Sequence, residues 1–430
     1  MKSNDSVAPV LSTMLTYDVV IDPTSTSAWS GGVLTSGTAS FTAYGVCWSA
    51  TNQEPTIADS KTSETVTLTS YTSNLTGLSP NTVYYARAYA TNSAGTGYGN
   101  VIKFTTGSDQ SNAYKSVSTL AGSTAQGFVN GTGTSALFNS PMGMTTDAAG
   151  NIYVSDSFNS AIRKITPAGV VTTIAGTGEL GYLDGAAATA KFYSPSGLAI
   201  DATGNIFVAD RGNNMIRKIT PAGIVSTFAG SGNAGFTDGT GTTATFNTPS
   251  GIAFDAAGNL YVADYGNNLI RKITPAGVVT TVAGSRAAGY ANGPGTTANF
   301  NKPGSIALDA AGNIYVTEQS NNAIRKISTD YTVTTFAGGP TASTLVGSPT
   351  AISIDAAGNM FIADYDGRVL KISAGKILTV LAGKSGTKGS ADGAGGSASF
   401  NNPQGIASDV NGNVFVADFG NNLIRKVSAN

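Results

Sequence analysis

The sequence predicts an all-β protein in which a β-sandwich precedes a closed six-bladed β-propeller. Three observations lead to this prediction: short alternating runs before residue 107, a repeat with a period of 54 residues after residue 115, and complementary ends of the repeat array. Short runs separated by Gly, Ser, Asn and Pro are typical of antiparallel strands. We therefore divide the chain into a sandwich at 1–107, a linker at 108–114 and a propeller at 115–430.

The first region has the pattern of an antiparallel sandwich of about seven strands. Its stretch "LTGLSPNTVYYARAYATNSAG" resembles the fibronectin type III family, whose L-x-P-x-T-x-Y turn is here Leu78, Pro80, Thr82 and Tyr84. The resemblance implies that Tyr84 is a corner tyrosine whose hydroxyl bonds to the backbone. Cys47 lies in the middle of a strand-like run, and we interpret it as a small buried side chain rather than a nucleophile.

The second region is an array of six repeats, each marked by a D-x-x-G-N turn. The turn aspartates are 54, 54, 54, 46 and 54 residues apart, at Asp147, Asp201, Asp255, Asp309, Asp355 and Asp409. Each repeat contains four strand-like runs, which is the strand number of a propeller blade. The Asp would accept hydrogen bonds from its own turn, and the Gly would supply a positive φ. We therefore interpret the repeated Asp as architecture, and the pattern does not match a calcium loop.

The ends of the array predict how the ring closes. The run "VSTLAG" at 117–122 has the pattern of a fourth strand, whereas "LIRKVSAN" ends the sixth repeat after its third strand. If residues 117–122 complete the sixth blade, no sheet edge is left open. Units such as "SGIAFDAAGNLYVADYGNNLIRKITPAG" closely resemble NHL repeats, which implies the same six-bladed propeller. The resemblance implies no single function, because NHL propellers include protein-binding, RNA-binding and enzymatic members.

Composition excludes several function classes. His is absent, Cys47 is the only cysteine, and the net charge is −1. The chain therefore lacks His-based nucleophiles, His-ligated metal sites, an internal disulfide and a basic surface for nucleic acid. No apolar run approaches the ~18 residues of a membrane span, and we expect no cofactor and no bound metal. Only 11% of residues are charged, as is common in secreted all-β proteins, so we expect an extracellular or cell-surface location with any signal peptide absent from this numbering.

Two ladders of opposite charge run through the array. The "IRK" motif provides Arg163, Arg217, Arg271, Arg325 and Arg425. The acid near the end of each second strand is Asp156, Asp210, Asp264, Glu318, Asp364 or Asp418. With the lysines of the same motif the basic residues number 11 of 24, and with the turn aspartates the acidic residues number 12 of 25. Because these ladders are nearly matched, we predict Arg–carboxylate pairs that lock the strands together. The recurring loop aromatics Phe128, Tyr182, Phe236 and Tyr290 are interpreted as anchors for the loops between repeats.

Binding is expected where the repeats differ. The residue after the ladder acid changes from repeat to repeat, and the connection that enters the fifth repeat is eight residues shorter than the others. The shortening predicts a notch in the rim near the fourth and fifth repeats, with the central channel, lined by small apolar residues, as its competitor. The candidate binding residues are Arg211, Tyr265, Glu318, Gln319, Tyr365, Asp366, Arg368 and Phe419.

Two functions are compatible with the sequence. The first is a non-catalytic extracellular recognition or structural module, whose rim binds a protein or a glycan and whose chains could also self-assemble. The second is a propeller enzyme of the lactonase or lyase type that uses channel carboxylates and a divalent cation. Similar propeller lyases rely on His, which is absent, and first-strand runs such as "GLAID" and "GIAFD" offer no acid before the turn Asp. These features favour the non-catalytic function.

Overall fold

The computed structural model is almost entirely β-structure. It describes residues 8–14, 20–24, 27–36, 41–64, 70–79, 82–106, 114–340, 346–374 and 377–429. The chain divides into two compact units, Met1–Ala113 with Ile372–Thr379, and Tyr114–Lys371 with Val380–Asn430. The linker predicted at 108–114 lies outside the described residues except for Tyr114, where a strand begins.

The first unit contains two antiparallel sheets. In one sheet, Ser27–Ser36 pairs with Val10–Met14, Val20–Thr24 and Ser70–Thr76. In the other, Val83–Asn92 pairs with Ala43–Ser49, Gly95–Tyr98 and Ile102–Thr105, and Ser60–Lys61 adds to Ala43–Ser49. The alternating pattern of Val83–Asn92 buries every second side chain at its start. These side chains join a core that includes Val46, Trp48, Leu75 and Phe104.

Two expectations for single residues in this unit are confirmed. The Tyr84 hydroxyl accepts a hydrogen bond from the N–H of Ser79 at 2.9 Å, so it bonds to the backbone as expected. Cys47 is completely buried in its strand. Burial raises the pKa of the Cys47 thiol to about 11 despite the nearby Arg87 charge, which keeps the thiol protonated and unreactive at neutral pH.

In the second unit, each repeat forms an antiparallel sheet whose strands follow one another in chain order. The strands of the first repeat are Pro141–Thr146, Ile152–Asp156, Ala161–Ile165 and Val170–Ala175. Those of the second are Pro195–Ile200, Ile206–Asp210, Met215–Ile219 and Ile224–Ala229. Those of the third are Pro249–Phe254, Leu260–Asp264, Leu269–Ile273 and Val278–Ala283. Those of the fourth are Pro303–Leu308, Ile314–Glu318, Ala323–Ile327 and Thr332–Gly338.

The remaining strands complete the array. Those of the fifth repeat are Pro349–Ile354, Met360–Asp364, Arg368–Ile372 and Ile377–Gly383. Those of the sixth are Gly405–Ser408, Val414–Asp418 and Leu423–Ala429. Two-residue strands in the connections, Gly131–Thr132, Gly185–Ala186, Gly239–Thr240 and Gly293–Pro294, pair outside the fourth strand of the first to fourth repeats. Single-turn 3-10 helices are Gly133–Ser135, Ser157–Asn159, Arg211–Asn213, Gly241–Thr243, Tyr265–Asn267, Gln319–Asn321 and Phe419–Asn421.

The array closes as a β-propeller. The first strands of successive repeats contact one another, and the first strand of the sixth repeat contacts that of the first. The predicted pairing of the two ends is confirmed, because Tyr114–Ala121 runs antiparallel to Leu423–Ala429, with Val117 opposite Val427. The sheets pack through completely buried phenylalanines contributed by the connections, which are Phe138, Phe192, Phe246, Phe300 and Phe400.

The D-x-x-G-N turns have the expected structure. In the second repeat, Asp201 Oδ1 accepts hydrogen bonds from the N–H groups of Thr203 and Asn205, both at 2.9 Å, and Oδ2 accepts from Asn205 Nδ2 at 2.7 Å. Gly204 has a φ of +82°, which a side chain would disfavour. Burial would raise the pKa of Asp201, but these hydrogen bonds outweigh it and lower the pKa. The turn aspartates are therefore structural.

Candidate binding site on the connection face

The loops between repeats and the residues after the ladder acids lie on one face of the propeller, which we call the connection face. In the second repeat, Pro195 at the start of the first strand pairs with Asp210 at the end of the second strand. The N–H of Gly212 donates to the carbonyl of Tyr193 in the preceding connection, at 2.8 Å. The variable residue, here Arg211, is thereby held beside the connection as the sequence predicts.

The ladder acids hold the connections from inside the sheet. Asp210 Oδ2 accepts hydrogen bonds from Arg217 Nη1 at 2.7 Å and from Asn213 Nδ2 at 2.8 Å, and Oδ1 accepts from the N–H of Tyr193 at 2.8 Å. Both members of the Asp210–Arg217 pair are completely buried. Burial raises the pKa of Asp210, although the hydrogen bonds and the Arg217 charge oppose the rise.

The arginines of these ion pairs also donate hydrogen bonds to backbone carbonyls of the connection. Arg217 Nη1 donates to the carbonyl of Lys191 at 3.1 Å, and Nη2 donates to that of Leu183 at 3.0 Å. Its guanidinium lies between the rings of Tyr182 and Phe192, 4.9 and 5.1 Å from their centres. Tyr182 therefore packs on a buried cation, which supports its interpretation as a loop anchor.

The predicted Arg–carboxylate pairs are confirmed in five repeats. Besides Arg217–Asp210, they are Arg163–Asp156, Arg271–Asp264, Arg325–Glu318 and Arg425–Asp418, at 2.6 to 2.9 Å. In the fifth repeat, Arg368 binds Asp364 instead. In three repeats a second acid, which was not predicted, comes from the connection and binds the same arginine: Asp184, Asp238 or Asp392. The sequence signal for it is the Asp-Gly pair that these three connections share.

The structure corrects the selection of Glu318 as a binding residue. The Glu318 carboxylate is completely buried, where it accepts hydrogen bonds from Arg325, from Asn321 and from the N–H of Asn301. Glu has one more methylene group than Asp, yet it makes the same set of contacts. Glu318 therefore holds the connection and does not reach the surface. Arg368, with only 13% of its side chain exposed, is likewise engaged by Asp364.

A cavity of about 470 Å³ lies along the first strands at the centre of the ring. On the connection face it is lined by Arg211, Tyr265, Lys302, Gln319 and Gln404. Along the first strands its lining includes the hydroxyl residues Thr145, Ser196, Ser250, Ser305, Ser353 and Ser408. The channel is therefore more polar than its expected small apolar lining, and its size is that of a ligand site.

The cavity mouth carries positive charge. The Arg211 guanidinium lies 4.9 Å from the centre of the Tyr265 ring, and Lys302 Nζ lies 6.0 Å from it. No Asp or Glu is among the described residues that line the cavity. Three predicted residues, Arg211, Tyr265 and Gln319, thus converge here, whereas Lys302 and Gln404 were missed because they precede the first strands and stand outside the repeated acid motif.

An aromatic groove adjoins the cavity between the first and second repeats. It has a volume of about 640 Å³, and Phe158, Leu180, Tyr193 and Arg211 are among its lining residues. The three apolar side chains are 45 to 68% exposed. Arg211 lines both the groove and the cavity, so the two adjoin at this side chain. The sequence signal that was missed is Phe158, which occupies the position held by Gly212 in the second repeat.

Besides Glu318, four predicted residues line neither the cavity nor the groove: Tyr365, Asp366, Arg368 and Phe419. Phe419 packs edge-on against Phe158, with ring centres 6.0 Å apart, and so borders the groove. Tyr365 is 36% exposed, with Lys388 Nζ 5.0 Å from its ring centre. Residues 341–345, at the centre of the predicted notch, lie outside the described residues.

Two further properties concern the described part of the chain only. It contains no helix long and apolar enough to cross a membrane. It also contains no group of three or more Cys, Asp or Glu side chains arranged to hold a metal ion.

The sequence repeats match a known family model. Residues 192–219, 246–273 and 400–427 match the NHL repeat. Each matched segment runs from the buried phenylalanine of a connection to the end of the third strand. Together with the closed ring of sheets, this match shows that the second unit is an NHL β-propeller.

Two named proteins are similar to short segments of this chain. The chain is 42% identical over 91 residues to the Arabidopsis thaliana protein SUPPRESSOR OF QUENCHING 1, chloroplastic, a match that covers 21% of this chain and 9% of that protein. It is 37% identical over 97 residues to human NHL repeat-containing protein 2, covering 22% of this chain and 13% of that protein. The chain thus spans only a small part of the length of these relatives.

Solved structures are similar over nearly the whole chain. A Bacteroides thetaiotaomicron protein of unknown function has a TM-score of 0.57 and 16% identity, with 99% of each chain covered. A second protein from the same organism, described as an auxiliary nutrient binding protein, has a TM-score of 0.56 and 13% identity, again with 99% coverage of both chains. At this identity, the similarity concerns the fold alone.

Proposed function

We propose that this protein is a non-catalytic extracellular recognition module. Its NHL propeller, with six blades, binds a glycan or a protein segment at the connection face, and its first unit is a fibronectin type III-like sandwich that acts as a spacer. The observation that carries the proposal is the convergence of Arg211, Tyr265 and Gln319, which lie in three different repeats, on one cavity. Concave sites with a few convergent polar groups are the usual places for ligand binding.

The buried ion pairs beneath the connection face are the same in most repeats, and this constancy supports a binding role. The ladder acids and their arginines are buried and make the same contacts in repeat after repeat, so the connection face is rigidly held. On this frame the residue after each acid changes freely, from Arg211 to Tyr265 to Gln319. A variable position on a fixed scaffold lets a fold acquire specificity without loss of stability.

The composition of the cavity favours glycan over a protein segment. Hydroxyl residues line it along the first strands, and two amides and two cations line its mouth. Such groups pair with sugar hydroxyls, and the adjoining aromatic side chains Phe158 and Tyr193 can pack against the apolar faces of sugar rings. A solved structure of the same fold is described as a nutrient binding protein, so this architecture has a precedent for ligand binding.

The lactonase or lyase alternative has less support from the cavity. A channel enzyme of that type needs carboxylates that hold a divalent cation or act as acid and base. Within the described lining, the ionisable side chains are Arg211, Tyr265 and Lys302, none of which is a carboxylate. The turn aspartates are committed to their own turns, as Asp201 shows.

The sandwich and spacer role of the first unit is supported by its two antiparallel sheets and by the Tyr84–Ser79 hydrogen bond. The extracellular location is supported by the low charge content of 11%. Protease accessibility of the protein on intact source cells tests the location. Protection that ends only when the cells are lysed would contradict it.

The binding proposal can be tested with two matched tyrosines. Tyr265 and Tyr365 occupy the same position in their repeats and each lies near a lysine, but only Tyr265 lines the cavity. A glycan array first identifies a ligand, and isothermal titration then compares the full-length protein with Tyr265→Ala and Tyr365→Ala. We expect Tyr265→Ala to weaken binding at least about tenfold and Tyr365→Ala to leave it unchanged.

The two variants also separate the competing sites. A loss confined to Tyr365→Ala would place binding at the notch instead of the cavity. Equal affinity in all three proteins would contradict the proposed site, and a glycan array without any bound glycan would contradict its assignment to a glycan. Turnover of a bound lactone or glycoside would support the enzymatic alternative.

A further inference from the structure

Arg211 and Lys302 differ from the arginines of the IRK motif. The IRK arginines are all bound by acids, as in Arg163–Asp156 and Arg217–Asp210. Neither Arg211 nor Lys302 takes part in any ion pair among the described residues, and both line the same cavity. The cavity mouth therefore holds two cations without a neighbouring acid among its described lining residues.

Tyr265 holds these two cations close together. Arg211 lies 4.9 Å and Lys302 Nζ lies 6.0 Å from the centre of its ring. Each cation is stabilised by the electron-rich ring, while the two cations repel each other. A bound anion would remove this repulsion and would gain charge-assisted hydrogen bonds from both side chains.

The surroundings indicate what kind of molecule carries the anion. Gln319, Gln404 and a series of serines and threonines line the cavity among glycines and apolar side chains, and the amide and hydroxyl groups can exchange neutral hydrogen bonds with the hydroxyl groups of a ligand. Arg211 also lines the aromatic groove with Phe158 and Tyr193. A ligand whose anion meets Arg211 can therefore extend an apolar face along the groove.

We propose that the Arg211–Tyr265–Lys302 cluster binds the carboxylate of an acidic saccharide, such as a uronic acid unit. This inference rests on the proposed function and deepens it by naming the ligand class. A planar carboxylate matches the two-pronged donor geometry of Arg211, and Lys302 supplies a second charge from the next connection. The neutral hydroxyl lining of the cavity and the aromatic groove then accommodate the sugar rings.

The test compares two probes that differ only at C6 of each sugar: a short oligogalacturonate with its carboxylates, and its carboxyl-reduced, neutral counterpart with hydroxymethyl groups. Isothermal titration of the full-length protein is expected to give at least about tenfold tighter binding of the acidic probe, with an affinity that falls as salt is raised. Arg211→Gln and Lys302→Gln should each remove most of this preference.

Arg286→Gln is the matched control. Arg286 also stacks on an aromatic ring, 3.8 Å from the centre of Phe236, but it lines neither the cavity nor the groove. The Arg286→Gln variant should retain the preference for the acidic probe. Unchanged thermal unfolding midpoints establish that the variants are folded, as expected for side chains at the surface.

The outcomes distinguish this inference from the proposed function. Equal binding of the acidic and neutral probes, with loss of both in Tyr265→Ala, would overturn the carboxylate inference and leave the glycan site intact. Tighter binding of a sulfated saccharide than of its carboxylated counterpart would also overturn it. Binding of no saccharide at all would overturn both.

Discussion

Replacing Arg217 with alanine is expected to lower the free energy of unfolding by about 3–5 kcal/mol. Arg217 is completely buried, so its removal leaves the Asp210 carboxylate in the interior without its cation. The carbonyls of Lys191 and Leu183 also lose their donors. Domains are stable by only about 5–15 kcal/mol, so the loss would be a large fraction of the total.

The magnitude follows from what the truncation removes. A buried ion pair adds little net stability over an apolar pair of the same shape, but loss of one partner exposes the desolvation cost of the other. Asp210 keeps its hydrogen bonds from Asn213 and from the N–H of Tyr193, which limits that cost. The double variant Arg217→Ala/Asp210→Asn should therefore lose less than the sum of the two single variants.

Urea unfolding of the full chain, followed by circular dichroism, measures these differences. Arg286→Ala is the control because it removes an arginine that stacks on Phe236 at an exposed position, and it should cost less than about 1 kcal/mol. A loss below about 1 kcal/mol for Arg217→Ala, or strictly additive effects in the double variant, would refute the assignment of the ladders to structural pairs.

Three other predictions concern the closing strand of the ring, the buried ladder acids and the Cys47 thiol. Deleting residues 115–122 uncovers the edge of the strand Leu423–Ala429, and we expect concentration-dependent association in light scattering; a stable monomer would contradict this. Burial raises the pKa of Asp156 and Asp418 from 3.8 to about 6. Because the folded state then binds protons more tightly than the unfolded state, the stabilisation that protonation of these two carboxyl groups provides is fully present below about pH 4 and is lost as the pH rises through about 6. The thermal midpoint should therefore increase from about pH 7 to about pH 5, and a steady decrease would be inconsistent with these pKa shifts. Cys47 should resist a thiol reagent in the native protein and react once urea unfolds the chain, because it is completely buried.

Much of the propeller could be predicted because each repeat is a local unit. The D-x-x-G-N turn fixes a hairpin through hydrogen bonds within five residues, as at Asp201, so its sequence is sufficient evidence for its structure. The pairing of 117–122 with the last strand was also accessible, because a ring of repeats requires its two ends to be complementary.

The binding site was harder to predict because it is formed across repeats. Arg211 belongs to the second repeat, Tyr265 to the third, and Lys302 precedes the first strand of the fourth. Their contacts depend on the curvature of the ring and on side-chain direction, neither of which a pattern within one repeat contains. For Glu318 the prediction was wrong for another reason. It differs in residue type from the Asp of the other repeats, but its buried hydrogen bonds with Arg325 and Asn321 are the same as those of the Asp.

Because Tyr114–Ala121 pairs with the last strand of the chain, the sheet that closes the ring cannot form until synthesis is nearly complete. Thr119 pairs with Arg425, so the partner strand leaves the ribosome about 300 residues later. At roughly 5–20 residues per second, the first strand waits about 15–60 s before the last sheet can form.

During this interval the waiting strand presents an unpaired edge to every other nascent chain nearby. Ser116, Ser118 and Thr119 give that edge a hydrophilic character, whereas Val117 and Ala121 are buried in the finished sheet. The polar composition of this segment thus serves the unfinished chain as much as the folded one, because an apolar strand in the same place would be open to intermolecular pairing until translation is nearly complete.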